Sequence, residues 1–217
     1  MKIRLILLII TLLVLASADA QSFFEGSLQF EVAYTGPQAA TLKENEPNTQ
    51  LTMHLRAGDY IVLLSGGQAP KTFMFVADSN YEYSIDMANQ RAYRNSIYSD
   101  QNTGPAPKVE TAVATGKQLE VAGVLCEEYQ LRTAEAVTLF YVNDQYRVDK
   151  TLFPPKPRTK ASFLVPGLEG RIPLKTIRKQ PDLTVTTTCK KITPRTFDPK
   201  QFLIPQGYEV KGRDYRY

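Results

Sequence analysis

The side chains best suited to catalysis or metal binding are few in this chain, which has one histidine and two cysteines. The histidine, His54, alternates with apolar residues along a predicted strand, so we expect it on the solvent side of that strand. A single histidine cannot build a multi-histidine zinc site, and the sequence has no H-x-x-x-H or C-x-x-C spacing. We therefore predict no metal site and no cofactor.

A catalytic constellation is equally hard to assemble from the sequence. A serine hydrolase would have to use His54 as its base, yet no G-x-S-x-G turn is present, and neither is a glycine-rich phosphate-binding motif. Glu127 and Glu128 are adjacent, and adjacent residues on a strand point to opposite faces, so we expect a charge pair at the sheet surface. These patterns predict that the protein is not an enzyme. A hydrolase using scattered carboxylates is the third of three functional hypotheses.

The N-terminus has the pattern of a secretory signal peptide. Two basic residues precede an apolar run over residues 5–16, and Ala18 and Ala20 supply small residues at positions −3 and −1 of a cleavage site. We predict cleavage between Ala20 and Gln21, giving a periplasmic or secreted protein without a stable membrane anchor. The alternative is a permanent anchor, but the run is shorter than the roughly 20 residues of a transmembrane helix. No cysteine follows it to carry a lipid.

Cys126 and Cys189 are the only cysteines, and an even count in an oxidising compartment favours a disulfide. We predict that these two residues are bonded. The alternative is a pair of buried, unbonded thiols, which is common in protein cores.

Alternating apolar and polar residues predict a chain built mainly of β-strands. Hairpins are expected over residues 50–64, 81–94 and 172–192, and the other alternating runs raise the total to about nine to ten strands in a mostly antiparallel sheet. A proline-rich run at residues 151–158 excludes regular structure there, and one helical turn is expected at residues 162–165. Residues 98–108 are interpreted as a long loop within one domain, residues 21–217, because the strands on either side look like halves of one sheet.

The formal net charge is only +4 and the basic residues are scattered, so we expect no nucleic-acid partner. What remains for function is apolar surface on the predicted strands. Part of that surface is expected to line a cavity for an apolar ligand, as happens inside curved sheets. An ordinary filled core is the alternative. The cavity candidates are Phe30, Val32, Met53, Leu55, Val62, Phe75, Tyr83, Leu139 and Tyr141.

Several motifs together resemble a family of small exported bacterial proteins of unknown function, common in Bacteroidetes and assigned a LolA-like fold. They are F-E-G-S-L-Q-F-E at residues 24–31, A-G-V-L-C at 122–126, T-L-F-Y-V at 138–142, G-R-I-P-L-K at 170–175 and F-D-P-K-Q-F-L-I-P-Q-G-Y at 197–208. Each motif alone is weak, but their order and spacing cover nearly all of the predicted mature chain.

The resemblance implies an incomplete antiparallel β-barrel, a half-barrel whose concave apolar face is covered by short helices or loops. LolA and LolB use such a face to hold the acyl chains of lipoproteins. The leading hypothesis is therefore an exported protein that binds a lipid acyl chain or another apolar small molecule. The runner-up is a structural module of the cell envelope that docks another protein through a sheet face or edge.

Overall fold

The computed structural model describes residues 23–45, 47–79, 81–96, 110–153 and 162–212. One twelve-stranded sheet runs through these ranges. Its strands are β1 (Gly26–Thr35), β2 (Gln50–Arg56), β3 (Asp59–Ser65), β4 (Lys71–Val76), β5 (Tyr81–Asp86), β6 (Arg91–Ser96), β7 (Val113–Val121), β8 (Val124–Arg132), β9 (Val137–Arg147), β10 (Arg171–Lys179), β11 (Thr184–Pro194) and β12 (Glu209–Gly212). The spatial order is β12-β6-β5-β4-β3-β2-β1-β11-β10-β9-β8-β7, so the sheet is curled and open.

The predicted fold class, a mainly β, antiparallel and incomplete barrel, is confirmed. Every described pairing is antiparallel except that of β12 with β6, which is parallel. The strand count is twelve instead of the expected nine to ten. A short helix, α1 (Ala39–Glu44), follows β1. The predicted signal peptide with Ala20 and Gln21, the 98–108 loop and most of the proline-rich run lie outside the described residues.

The alternation in the sequence decides which side chains share a face, because residues directly opposite each other on neighbouring strands project to the same side. Leu55, Tyr60 and Phe75 are paired across β2, β3 and β4 and form one apolar row. His54 and Ile61, one residue away, form a row on the opposite face. The two faces of this part of the sheet are therefore lined by different sets of side chains.

Three apolar clusters bury these faces. The largest contains most buried residues of β1–β4 and β8–β11, together with Phe153 and Phe163 from the connection between β9 and β10. A second cluster surrounds Met74 and Tyr83 and is packed against Ile204 and Tyr208 of the C-terminal segment. A third joins Phe140 and Val142 to Leu168. Segments without long regular structure thus cover the sheet.

Short 3-10 turns place these covering segments. One spans Lys150–Leu152, where the Asp149 carboxylate accepts the Thr151 N–H at 2.9 Å, and it leads directly into Phe153. Another spans Ser162–Leu164 and carries Phe163. Within the described ranges, no helix is long and apolar enough to cross a membrane.

Candidate apolar binding site

Four aromatic rings form the centre of the large cluster. Tyr60 and Phe75 stack at a centroid distance of 5.2 Å on the sheet, and Phe153 stacks on Phe75 at 5.1 Å. Phe163 meets Tyr60 edge-on at 5.7 Å and Phe153 at 5.8 Å. The Tyr60 hydroxyl donates to a carboxylate oxygen of Glu82 at 2.9 Å, so its polar end is satisfied while its ring is buried. The rings of the connecting segment therefore fill the space above the sheet rings.

The structure places most of the nine cavity candidates in this cluster. Five are buried members, and Val62 and Leu139 pack against them as partly buried neighbours. Tyr83 lies in the second cluster, because its partner across β4 and β5 is Met74, which is not on the Phe75 face. Val32 is partly exposed and belongs to none of the three clusters. The buried members are Phe30, Met53, Leu55, Phe75 and Tyr141.

Phe153 and Phe163 were missed by the sequence analysis. Alternation identifies apolar faces of strands, whereas these two residues flank a proline-rich run that carries no such pattern. Phe163 is fully buried and Phe153 is 7% exposed, although both belong to a connection and not to the sheet. Their aromatic type beside a run that cannot form regular structure is the signal that would have identified them.

One carboxylate is buried at the same cluster, and this corrects the expectation of a surface charge pair. Glu128 is only 6% exposed, whereas Glu127 on the other face is exposed. The Tyr141 hydroxyl donates to Oε2 of Glu128 at 2.7 Å, and the Thr115 hydroxyl donates to Oε1 at 2.9 Å. The bond from Tyr141 is the main cause that lowers the pKa of Glu128. Burial and the Glu128 carboxylate raise the pKa of Tyr141 to about 12.

Cys126 and Cys189 are both members of the large cluster and are essentially inaccessible. They are free thiols in this structure, so the predicted disulfide stays a prediction. Burial raises the pKa of each thiol to about 11. Thiolate, the reactive form, is therefore scarce at neutral pH.

His54 is half-buried, contrary to the expected solvent position. Its Nδ1 lies 2.8 Å from the hydroxyl of buried Ser27, and its ring meets the Phe197 ring edge-on at 5.3 Å. Phe197 belongs to the C-terminal segment, which the strand pattern could not place over β2. Burial, followed by the charge of Arg195, lowers the pKa of His54. Among the described residues no carboxylate hydrogen-bonds to the ring, so none of them completes a triad with Ser27 and His54.

A surface cleft of about 490 Å³ opens beside the N-terminal end of β1. It is lined by Phe23, Phe24, Glu25, Gln145 and residues 194–196, and none of them was a cavity candidate.

In the described part of the chain, no group of three or more histidine, cysteine, aspartate and glutamate side chains is arranged to hold a metal ion.

No protein-family model and no curated protein sequence matches this chain. Among solved structures, PNGF-II matches 88% of this chain with a TM-score of 0.50 at 9% identity. The chain spans only 31% of the length of that protein. This likeness concerns the fold alone.

Two further solved structures resemble the chain over most of both molecules. An uncharacterised conserved protein from Thermus thermophilus has a TM-score of 0.48 at 10% identity, covering 87% of this chain and 91% of that one. A LolA-superfamily protein from Nitrosomonas europaea has a TM-score of 0.38 at 8% identity, covering 85% and 91%.

Proposed function

We propose that this protein is an exported binding protein that takes a lipid acyl chain or another apolar molecule onto the sheet face around Leu55, Tyr60 and Phe75. The observation that carries the proposal is the cover of this face. In the described residues, Phe153 and Phe163 of a connecting segment lie over its rings, where a folded core would ordinarily use a helix or a second sheet.

A ligand would replace these two rings. Phe163 lies within a 3-10 turn of three residues and Phe153 directly follows another, and short elements of this kind hold few backbone hydrogen bonds of their own. An acyl chain in the vacated space would restore the apolar contacts of the sheet rings and keep water out. The exposure of two aromatic rings is the main cost of opening, about 1.5–3 kcal/mol each.

The motif resemblance to LolA-like exported proteins supports the same function, and the predicted signal peptide supports a periplasmic or secreted location. LolA and LolB hold acyl chains against a concave sheet face, and here the corresponding face is apolar and buried.

A second candidate function is docking of an envelope protein at an edge of the sheet. Of the two edge strands, β12 and β7, the longer is β7, where Val113 is 60% exposed; Leu125 on the neighbouring strand is 58% exposed. The pairing of β7 with β8 is interrupted between Ala114 and Gln118, and Lys117 lies in that irregular stretch. Bulges and lysines on edge strands oppose strand addition, so apolar ligand binding is the better-supported function.

The test is binding of N-phenyl-1-naphthylamine, an uncharged fluorescent probe, together with native mass spectrometry of protein purified from its own host. We expect saturable probe binding and a co-purifying apolar molecule. Phe163→Ala should increase probe affinity, because it removes a side chain that fills the site. The matched control is Phe202→Ala. Phe202 is almost equally buried, but it packs on Phe197, which lies against His54 on the other face of the sheet.

Equal probe affinity in both variants would place any binding elsewhere. Absence of a co-purifying molecule together with no probe binding by the wild-type protein would overturn the proposal.

A further inference from the structure

The cleft beside β1 has an apolar wall and one positive charge. Phe23 is 39% exposed at its rim, and Phe24 lies deeper, only 8% exposed. Arg195 and Glu25 are its charged residues, and Gln145 adds an amide. Its volume of about 490 Å³ falls in the range of small-molecule sites, roughly 300–1,000 Å³.

The apolar wall is continuous with the core. Phe24 belongs to the large cluster that also contains Leu55, Tyr60 and Phe75. The Phe24 ring lies so close to Gly26 that a Cβ atom there would come within 2.7 Å of it. Gly26 is paired with Leu55, the first residue of the apolar row of Leu55, Tyr60 and Phe75. Phe24 therefore both lines the cleft and belongs to the cluster on the sheet face that we propose for ligand binding.

The two charges in the cleft are not equally available. Oε1 of Glu25 accepts the backbone N–H of Phe197 at 2.8 Å, which ties this carboxylate to the protein. The guanidinium carbon of Arg195 lies over the Phe197 ring, 4.0 Å from its centroid, and the guanidinium forms no ion pair with any described residue. A guanidinium over an aromatic ring keeps N–H groups that can bind a carboxylate or a phosphate.

We infer that this cleft is the head-group subsite for a single-chain anionic amphiphile. Its carboxylate or phosphate accepts hydrogen bonds from Arg195. Its hydrocarbon chain passes Phe23 and Phe24 towards the apolar row. This inference rests on the proposed function, because it assigns the polar end of the ligand that the sheet face would bind.

The pKa of His54 should report whether an anion is bound at Arg195. His54 is its single histidine, and Arg195 is the charged residue that disfavours the protonated ring. A bound anion would offset the charge of Arg195 and raise the pKa of His54. An uncharged ligand in the same cleft lacks this effect.

The experiment compares oleate, oleoyl lysophosphatidate and monoolein, which share one hydrocarbon chain and differ in the head group. Displacement of N-phenyl-1-naphthylamine from the full mature chain gives their affinities. We expect Arg195→Gln to weaken both anions about tenfold and monoolein less than twofold. The matched control is Arg178→Gln, which removes an exposed arginine of β10 that does not line the cleft. A difference between oleate and lysophosphatidate identifies which anion the cleft prefers.

Proton NMR titration of His54 supplies the second readout. Oleate and Arg195→Gln should each move the titration midpoint upward, whereas monoolein should leave it unchanged. The head-group assignment is overturned if the probe binds but Arg195→Gln affects oleate and monoolein alike. Failure of the wild-type protein to bind the probe would instead overturn the proposed function.

Discussion

The hydroxyl of Tyr141 donates a 2.7 Å hydrogen bond to the carboxylate of Glu128, which is 6% exposed. The two residues are directly paired across β8 and β9, so the bond joins neighbouring strands close to the β7 edge of the sheet. A buried carboxylate is stable only when hydrogen-bond donors replace the water that it has lost. Tyr141 of β9 and Thr115 of β7 supply those donors, so hydrogen bonds to Glu128 link β7, β8 and β9.

Tyr141→Phe should therefore destabilise the protein by about 1–3 kcal/mol, since it leaves a buried carboxylate oxygen without its donor. Urea denaturation followed by circular dichroism measures this loss. Glu128→Ala/Tyr141→Phe should cost less than the sum of the two single changes, because each single change already removes the same bond. Additive losses would show that the bond does not couple the strands.

Stability should fall at alkaline pH through Tyr141. Its pKa in the folded protein is raised to about 12, so the folded state retains a proton that the unfolded state releases from about pH 10. The hydroxyl's contribution is present below pH 10 and is lost as the pH rises towards 12. In Tyr141→Phe the decline over this interval should be smaller. An unchanged decline would assign it to other residues.

Mild acid should weaken the protein through His54. Its pKa is lowered in the folded state, so the unfolded state binds a proton more readily. Stability is then greatest above the ordinary histidine pKa of about 6.5 and falls as the pH drops through that value and the lower folded one. Denaturation of wild type and His54→Gln between pH 7.5 and 5 measures the difference. A parallel pH dependence in the two proteins would contradict the prediction.

Gly167 should tolerate no side chain. It has a φ of +90°, and a Cβ atom there would lie 2.1 Å from the carbonyl oxygen of Ala112. Gly207 is the matched control, with a φ of +89° and open space around its Cα. Gly207→Ala should cost about 1–2 kcal/mol of backbone strain. Gly167→Ala should destabilise the protein more, because Ala112 and the third cluster around it must also move away from the new methyl group. Thermal unfolding that shows equal destabilisation by the two changes would contradict this prediction.

Cys126 and Cys189 should react very slowly with Ellman's reagent in the folded, reduced protein. Burial and a pKa of about 11 both suppress the thiolate, and unfolding in urea should release fast reaction. The predicted disulfide in exported protein would close a loop of about 60 residues and stabilise the fold by roughly 4 kcal/mol. Mass mapping without reduction tests it, and two alkylated cysteines in exported protein would exclude the bond.

Local sequence patterns were sufficient for the class of fold. Alternation along β2 and β8, and the turns between them, follow from preferences that operate within a few residues. The same local pattern identified Phe30, Met53, Leu55, Phe75 and Tyr141 as inward-facing. The same pattern wrongly grouped Tyr83 with these residues. Alternation separates the two faces of one strand, but it does not show which of them lies on the same side of the sheet as a given face of the next strand.

By contrast, only the folded chain shows which segments cover those faces. Phe153, Phe163 and Phe197 come from segments with no periodic pattern, and their positions depend on contacts with residues far away in the chain. The burial of His54 and Glu128 also depends on distant residues. Phe197 of the C-terminal segment packs against His54, and Tyr141 and Thr115 of the neighbouring strands contact Glu128. Local periodicity records the direction of a side chain, whereas burial depends on which distant segment packs against it.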